Sequence, residues 1–258
     1  MKIASWNVNS LRVRLPQVLE WVARYQPDIL ALQETKLTNE IFPLADIESA
    51  GYHAVYSGQK TYNGVAILFK QACQDVVTDL PGLDDPQRRI LGVTVGDIRV
   101  LNLYVVNGSE VGSEKYRYKL EWLDCVTDYI KGQLQHYPHY IVLGDFNIAP
   151  DDRDVHDPGR WYERILCSTL ERAALNKILE LGFKDSFRLF EQQPNSFSWW
   201  DYRAAGFRRN AGLRIDLILA SDSLSRRCVS AEIDKEPRRW KRPSDHAPVM
   251  ATFELTGQ

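Results

Sequence analysis

The side chains that could do chemistry fall at the ends of apolar runs. Asn7 ends the run Ile3–Asn7, and Asn9 lies two residues on. Glu34 follows Asp28–Gln33 (DILALQ). Asp145 and Asn147 follow His139–Gly144 (HYIVLG), in the string Gly-Asp-Phe-Asn. Asp216 lies between Ile215 and Leu217 at the start of another apolar run. Asp245 and His246 stand in Pro-Ser-Asp-His-Ala-Pro, just before the last one. Strand residues at i and i+2 project to one side, so Asp145 and Asn147 can share a face while Phe146 packs on the other. Taken singly, each has an ordinary reading: an Asp at a strand end forms a turn, a Glu after a strand is solvated, a His beside an Asp is a surface pair. Taken together, carboxylates, an imidazole and carboxamides at the ends of separate strands make a hard-cation site if those ends converge.

Such a set suits one kind of reaction. Mg²⁺ uses few carboxylates and keeps several waters for a substrate phosphate. A phosphodiester is already an anion and repels an anionic nucleophile, so a bivalent cation that offsets the charge is needed in the transition state. A carboxylate such as Asp145 can take a proton from the attacking water. An imidazole near the phosphate can donate a hydrogen bond or carry positive charge. A buried carboxylate such as Asp216 would raise its pKa and fix its tautomer. The implied chemistry is metal-assisted phosphodiester hydrolysis.

Strands and helices that could hold these residues run from end to end. Short strands are expected at Ile3–Asn7, Asp28–Gln33, Tyr52–Ser57, Gly64–Phe69, Ile90–Val95, Arg99–Tyr104, His139–Gly144, Ile215–Ala220, Val229–Ile233 and Val249–Glu254. Gly96-Asp97 reads as a hairpin turn. Leu15, Val18, Leu19, Val22 and Ala23 recur with a helical period, with Pro16 in the first turn and Pro27 at the exit. Leu120, Leu123, Thr127, Ile130 and Leu134 mark a second helix, and Ala174, Ile178 and Leu181 a third. Many strands with hairpin links and few helices predict antiparallel or mixed sheets flanked by helices, in one large domain, and argue against a doubly wound parallel sheet.

Composition sets outer bounds. The 258 residues are 44% hydrophobic and 26% charged, which excludes a coiled coil, a collagen and a disordered chain. The net charge of −2 excludes a uniformly basic coat protein but not a basic face. Residues 201–258 carry an excess of cations and the first 200 an excess of acids. Asp145, Asp151, Asp152, Asp154 and Asp157 form a dense acidic run, read as a solvated loop. Cys73, Cys125, Cys167 and Cys228 are scattered without zinc spacing, which suggests a reducing compartment. With no signal peptide and no membrane-length apolar run, a soluble cytoplasmic protein is expected.

The strings Ile3-Ala4-Ser5-Trp6-Asn7-Val8-Asn9, Leu32-Gln33-Glu34-Thr35-Lys36, Gly144-Asp145-Phe146-Asn147, Leu213-Arg214-Ile215-Asp216 and Ser244-Asp245-His246-Ala247-Pro248 resemble the exonuclease III family of apurinic/apyrimidinic endonucleases. The motifs occur in the family's order over essentially the whole chain. The resemblance implies a four-layered α/β sandwich of two packed sheets flanked by helices, with the site at one edge. It implies Mg²⁺- or Mn²⁺-dependent cleavage of double-stranded DNA 5′ to abasic sites, with 3′→5′ exonuclease and 3′-phosphatase or 3′-diesterase activity on damaged ends, by a monomer.

Position by position, Glu34 matches the principal metal ligand, with Asn7 beside it and Asp245 near the metal. Tyr104 matches a phosphate-binding tyrosine. Asp145 matches the general base or proton donor, Asn147 the residue orienting nucleophile and phosphate, and Asp216 with His246 the Asp–His pair. Asn107, Asn9 and Lys36 fall at DNA-contacting positions. Trp199, Leu213 and Ile215 match an apolar pocket for a flipped, baseless sugar. The stretch from Trp199 to Arg209 interleaves Trp200, Tyr202 and Phe207 with Arg203, Arg208 and Arg209, as a surface that stacks on DNA and holds phosphates requires. Arg238, Arg239, Lys241 and Arg242 could grip a flanking phosphate. Val106 replaces a proline common in the family, and the segment Asp151–Trp161 is a variable insertion. A relative specialised for 3′-end processing with little abasic-site activity, other phosphodiesterases of the same broad fold, and a binding protein with a dead site are the competing readings.

Overall fold

Strand β1 (Lys2–Asn7) shows how the sequence builds the molecule. Ala4 and Trp6 point to one face, and Ile3, Ser5 and Asn7 to the other. Both faces are buried, so each must be covered by another layer. The computed structural model describes residues 1–255.

Helix α1 (Leu11–Tyr25) follows, then β2 (Ile29–Gln33), α2 (Leu44–Ser49), β3 (His53–Ser57), β4 (Val65–Phe69), β5 (Cys73–Val77), β6 (Ile90–Val95) and β7 (Ile98–Tyr104). Helix α3 (Glu114–Gln133), β8 (Tyr140–Asp145), α4 (Pro158–Trp161), α5 (Thr169–Glu180), β9 (Phe183–Asp185), β10 (Asp216–Ser221), α6 (Asp222–Ser225), β11 (Cys228–Ile233) and β12 (Val249–Phe253) complete the order. The strands form two mixed six-stranded sheets, in the orders β11-β12-β1-β2-β4-β3 and β5-β6-β7-β8-β10-β9.

Alternation along each strand divides the apolar residues into three layers. Ala4, Trp6, Leu30 and Leu32 pack under α1 and α2 with Val18, Trp21, Val22 and Ile47. Leu101, Leu103, Val142 and Leu217 pack under α3 and α5 with Trp122, Leu123, Ala174 and Ile178. Ile3, Ala31, Ile67, Val93, Val100, Leu143 and Ile218 meet between the sheets. This is the four-layered sandwich that the resemblance implies.

The expected strands are present to within a residue or two at each end. Two strands have no signal in the sequence: β5 is mostly exposed, and β9 has three residues, too few to show alternation. Pro16 differs from expectation as well. Helix α1 begins at Leu11, so Pro16 stands in the second turn, where its missing N–H removes one internal hydrogen bond. Among the described residues, no helix is long and apolar enough to cross a membrane.

Toward one end of the strands the layer between the sheets turns polar. Gln33 Nε2 donates to Asn102 Oδ1 at 2.7 Å, and Asn102 Nδ2 donates to the carbonyls of Leu32 and Ala66 at 2.9 and 3.0 Å. These bonds join the two sheets just behind Glu34 and Tyr104. Replacing Asn102 by alanine removes these three buried bonds and should cost roughly 2–4 kcal/mol. Urea unfolding measures this, and a loss under about 0.5 kcal/mol would show that the bridge is not structural.

Candidate active site

Strand register lines the polar ends up. Tyr104 pairs with Asp145 across the parallel β7–β8 ladder, and Asp145 pairs with Asp216 across β8–β10. In the other sheet Asn7 pairs with Gln33, one residue before Glu34. Inward-facing positions of both sheets therefore converge at one edge of the sandwich.

Asn7 links the halves: its Nδ2 donates to Glu34 Oε1 at 2.9 Å and to Asp145 Oδ2 at 2.8 Å. His246 enters from the turn before β12. Its Nδ1 lies 2.9 Å from Asp216 Oδ2, and its Nε2 lies 3.7 Å from Asp145 Oδ2. Ser198 Oγ donates to Asp216 at 2.6 Å and accepts from the amides of Ile215 and Asp216. Asn147 follows Asp145 in a left-handed conformation, φ 50°. Its amide caps Asp145 Oδ1 at 2.9 Å, so this pair forms a side-chain turn beyond the strand end and not a continued strand face.

Burial and charge tune the titrating groups. Burial pushes Asp145 up to about 7; His246 opposes the shift and Asp216 adds to it. Burial alone would lower His246, but Asp216 and Asp145 overcome it and raise the imidazole to about 10. Burial would raise Glu34, yet Lys36 at 2.8 Å and the Asn7 amide hold it below its ordinary value. Burial, then Glu34 and Asp145, hold Tyr104 well above the ordinary tyrosine range, so it is a neutral donor. Arg89 lies 4.7 Å over its ring.

Ligand atoms of Glu34, Asp145 and His246 lie within 4.8 Å of one another. The two carboxylates are hard oxygen donors and fit Mg²⁺ or Mn²⁺. Asp245 is not in this group. Its oxygens accept from Asn9 Nδ2 at 2.9 Å and Trp199 Nε1 at 3.0 Å. Asn7 Oδ1 accepts from the Asn9 amide, so the nitrogen of this carboxamide faces the carboxylates and the oxygen does not. Asn7 and Asp245 are thus both hydrogen-bonded beside the Glu34, Asp145 and His246 group.

The remaining expected residues divide. Asn9 and Lys36 join the site, with Lys36 Nζ donating to Asn9 Oδ1 at 2.6 Å. Asn107 donates to Asn147 Oδ1 at 3.1 Å. Arg203, Arg208 and Arg209 are exposed, and Arg203 pairs with Asp201. Leu213 and Ile215 are closed in among Ala149, Val155, Leu166 and Cys167, so they back the half-buried Trp199 and do not line an open pocket themselves. Trp199 bridges to both Leu213 and His246, which brings this apolar cluster against the site. Arg238 is no phosphate grip: it is buried against Trp200 and Phe207 and donates to the Ser244 carbonyl. The acidic run is not wholly solvated either. Asp154 is fully buried and pairs with Arg214 at 2.6 Å and with Arg188.

Four contributors carried no signal that composition or period could reveal: Ser198, Ser244, Arg89 and Arg214. Each acts by holding another residue. Ser244 Oγ, for instance, donates to the Asn7 carbonyl at 2.7 Å and accepts from the His246 amide.

An imidazolium held above its ordinary 6.5 stabilises the fold fully below that pH, and the contribution fades as pH rises through about 10. In EDTA, the stability gap between wild type and Asp216→Asn should therefore shrink from pH 6.5 to pH 10. Urea midpoints across that range test it, and a constant gap would mean that His246 carries no extra proton.

The geometry has counterparts among known proteins. A family model described as the Endonuclease/Exonuclease/phosphatase family matches residues 4–246. Exodeoxyribonuclease III of Haemophilus influenzae is 38% identical over 267 residues, covering 98% of this chain and 100% of that protein. The structure of NExo, a 3′ phosphatase from Neisseria bound to a product DNA hairpin, matches with a TM-score of 0.97 at 47% identity, covering 99% of this chain and 100% of that one. The structure of an AP endonuclease from Archaeoglobus fulgidus matches with a TM-score of 0.95 at 40% identity, with 99% and 100% covered. With its layers, its edge site and the match across nearly all of its length, the chain belongs to the Endonuclease/Exonuclease/phosphatase family.

Proposed function

We propose that this chain is a metal-dependent DNA repair phosphodiesterase that cleaves duplex DNA 5′ to abasic sites and also trims damaged 3′ ends. The observation that carries the reading is the set Glu34–Asn7–Asp145–His246–Asp216 at one sandwich edge, joined by hydrogen bonds and by the His246–Asp145 ion pair. Relatives described as exodeoxyribonuclease III, AP endonuclease and 3′ phosphatase support DNA as the substrate. Residues 1–258 act as one catalytic domain, since neither sheet holds the whole set, and the protein works as a cytoplasmic monomer.

Glu34 would anchor Mg²⁺ or Mn²⁺ at the cluster that it forms with Asp145 and His246, where the ion would supply positive charge against the anionic phosphate. Asp145, with a pKa near 7, can exchange a proton with water or with the leaving oxygen at neutral pH. His246 stays cationic and faces the same phosphate. Tyr104 donates its hydroxyl proton as a hydrogen bond, and Asn147 with Asn107 orients the phosphate. The water oxygen bonds to phosphorus, the P–O3′ bond breaks, and the proton passes to the departing 3′-oxygen. Trp199, backed by Leu213 and Ile215, offers a flat apolar wall to a sugar without a base. Exposed Arg208 and Arg209, with Arg203 paired to Asp201 beside them, offer cations to the DNA backbone, so binding should weaken with salt.

Rates on an abasic duplex, a recessed 3′-hydroxyl end and a 3′-phosphate end, each with and without EDTA, test the reading. EDTA should abolish all three activities. Glu34→Ala or His246→Asn should each cost roughly two or more orders of magnitude in rate with DNA binding largely retained. Turnover confined to the two 3′-end substrates would overturn the abasic-site assignment. Turnover of only an inositol phosphate or a lipid would overturn the DNA reading itself.

A further inference from the structure

Lys119 on α3 is fully buried. An ammonium in such a place is costly unless it is paired and hydrogen-bonded. Three acceptors meet it: the Asn147 carbonyl at 2.7 Å, the Asn107 carbonyl at 3.2 Å, and the carboxylate of Glu171 on α5. Glu171 is itself held by the amides of Leu166 and Ser168, each at 3.1 Å, and by the Ser168 hydroxyl at 2.7 Å. Ser168 Oγ in turn meets the Tyr116 hydroxyl at 2.7 Å.

Both carbonyls belong to the residues whose carboxamides meet at the site. Asn107 Nδ2 donates to Asn147 Oδ1, and Asn147 Nδ2 donates to the Val105 carbonyl at 2.9 Å. Asn147 has φ 50°, a left-handed conformation with an energetic cost for any residue but glycine. Gly108, next to Asn107, has φ 91°, and a Cβ there would lie 3.1 Å from Lys119 Cδ. The loop therefore packs on the lysine stem while the ammonium holds its carbonyls. An apolar side chain could fill the same volume, so packing alone gives no reason for a buried charge.

We propose that Lys119 is a positioning residue for phosphodiester hydrolysis. Its ammonium clamps the backbones of Asn107 and Asn147, so that the two carboxamides meet the phosphate as one preorganised unit. The proposal rests on the phosphodiesterase reading of the site. It gives the buried α3–α5 ion pair a part in catalysis, although neither side chain touches substrate.

The test measures kcat and KM on an abasic duplex with Mg²⁺, together with urea unfolding. The variants are Lys119→Arg, Lys119→Met, Lys119→Met/Glu171→Gln, Asn147→Ala and Lys119→Met/Asn147→Ala. The Lys119→Met/Glu171→Gln pair removes the clamp without stranding a buried charge, so it should unfold at higher urea than Lys119→Met alone. Its kcat should fall about 10–100-fold with KM within about threefold, while Lys119→Arg keeps most activity. In the Asn147→Ala background, Lys119→Met should cost less than about threefold, because both act through one group. A folded Lys119→Met/Glu171→Gln protein with wild-type kcat would overturn the proposal. So would an equal loss from Lys119→Met in both backgrounds, the mark of general destabilisation. A wild type that leaves every DNA substrate intact would instead overturn the phosphodiesterase reading, and the clamp's role in it.

Discussion

Asp145 and Asp216 lie directly opposite each other on adjacent antiparallel strands. Both are almost wholly buried, and like charges in such register repel. The imidazole of His246 relieves this, with one nitrogen toward each carboxylate. Much of the surrounding structure serves to keep that ring in place. Trp6 Nε1 donates to its carbonyl at 3.2 Å, Ser244 accepts from its amide, and Ser198 fixes the far side of Asp216. In the reaction proposed above, a cationic imidazole between two carboxylates also faces the phosphate, so the fold's local electrostatic problem and that reaction would share one solution.

The site extends the layer between the sheets and is not an attachment to the surface. That layer is hydrocarbon at Ile3, Ala31, Val100 and Leu143. It becomes carboxamide and hydroxyl at Ser5, Gln33 and Asn102. It ends in charge at Glu34, Asp145 and Asp216. Apart from Glu34, which follows β2 with a left-handed φ of 51°, these groups fall on inward-facing residues of period-2 strands, so register error by one residue would turn them outward. The buried amides between the sheets resist such a slip, because it would break the bonds by which Gln33 and Asn102 cross between the sheets.

The sequence showed the site's main groups because they stand at abrupt changes from apolar to polar. Glu34 after Ile29–Gln33 and Asp145 after Tyr140–Gly144 are such breaks, and the family's motifs coincide with them. The sandwich was legible for the same reason: alternation and helical stripes are local patterns. What pairs with what was not legible. Nothing near Asp154 indicates that Arg214 will neutralise it inside the protein, and nothing near Lys119 indicates Glu171. Leu213 and Ile215 matched an apolar pocket wall in the family's pattern, and three-dimensional packing made them the backing of Trp199. Asn7 was legible as a polar end, but the direction of its carboxamide follows from a local turn in which the Asn9 amide donates to it, a conformation that the residue types alone do not fix.

The pairing of β1 with β12 joins segments some 250 residues apart, as Lys2 opposite Thr252 shows. Asn7 and Glu34 come from the first strands, Asp145 from the middle, and His246 from the turn before β12. Closing loops of that size is entropically costly and comes late when a chain folds. Nuclease competence is therefore a property of the finished topology alone: a growing or half-collapsed chain can hold stretches of sheet and helix, yet it has no assembled means of cutting a genome.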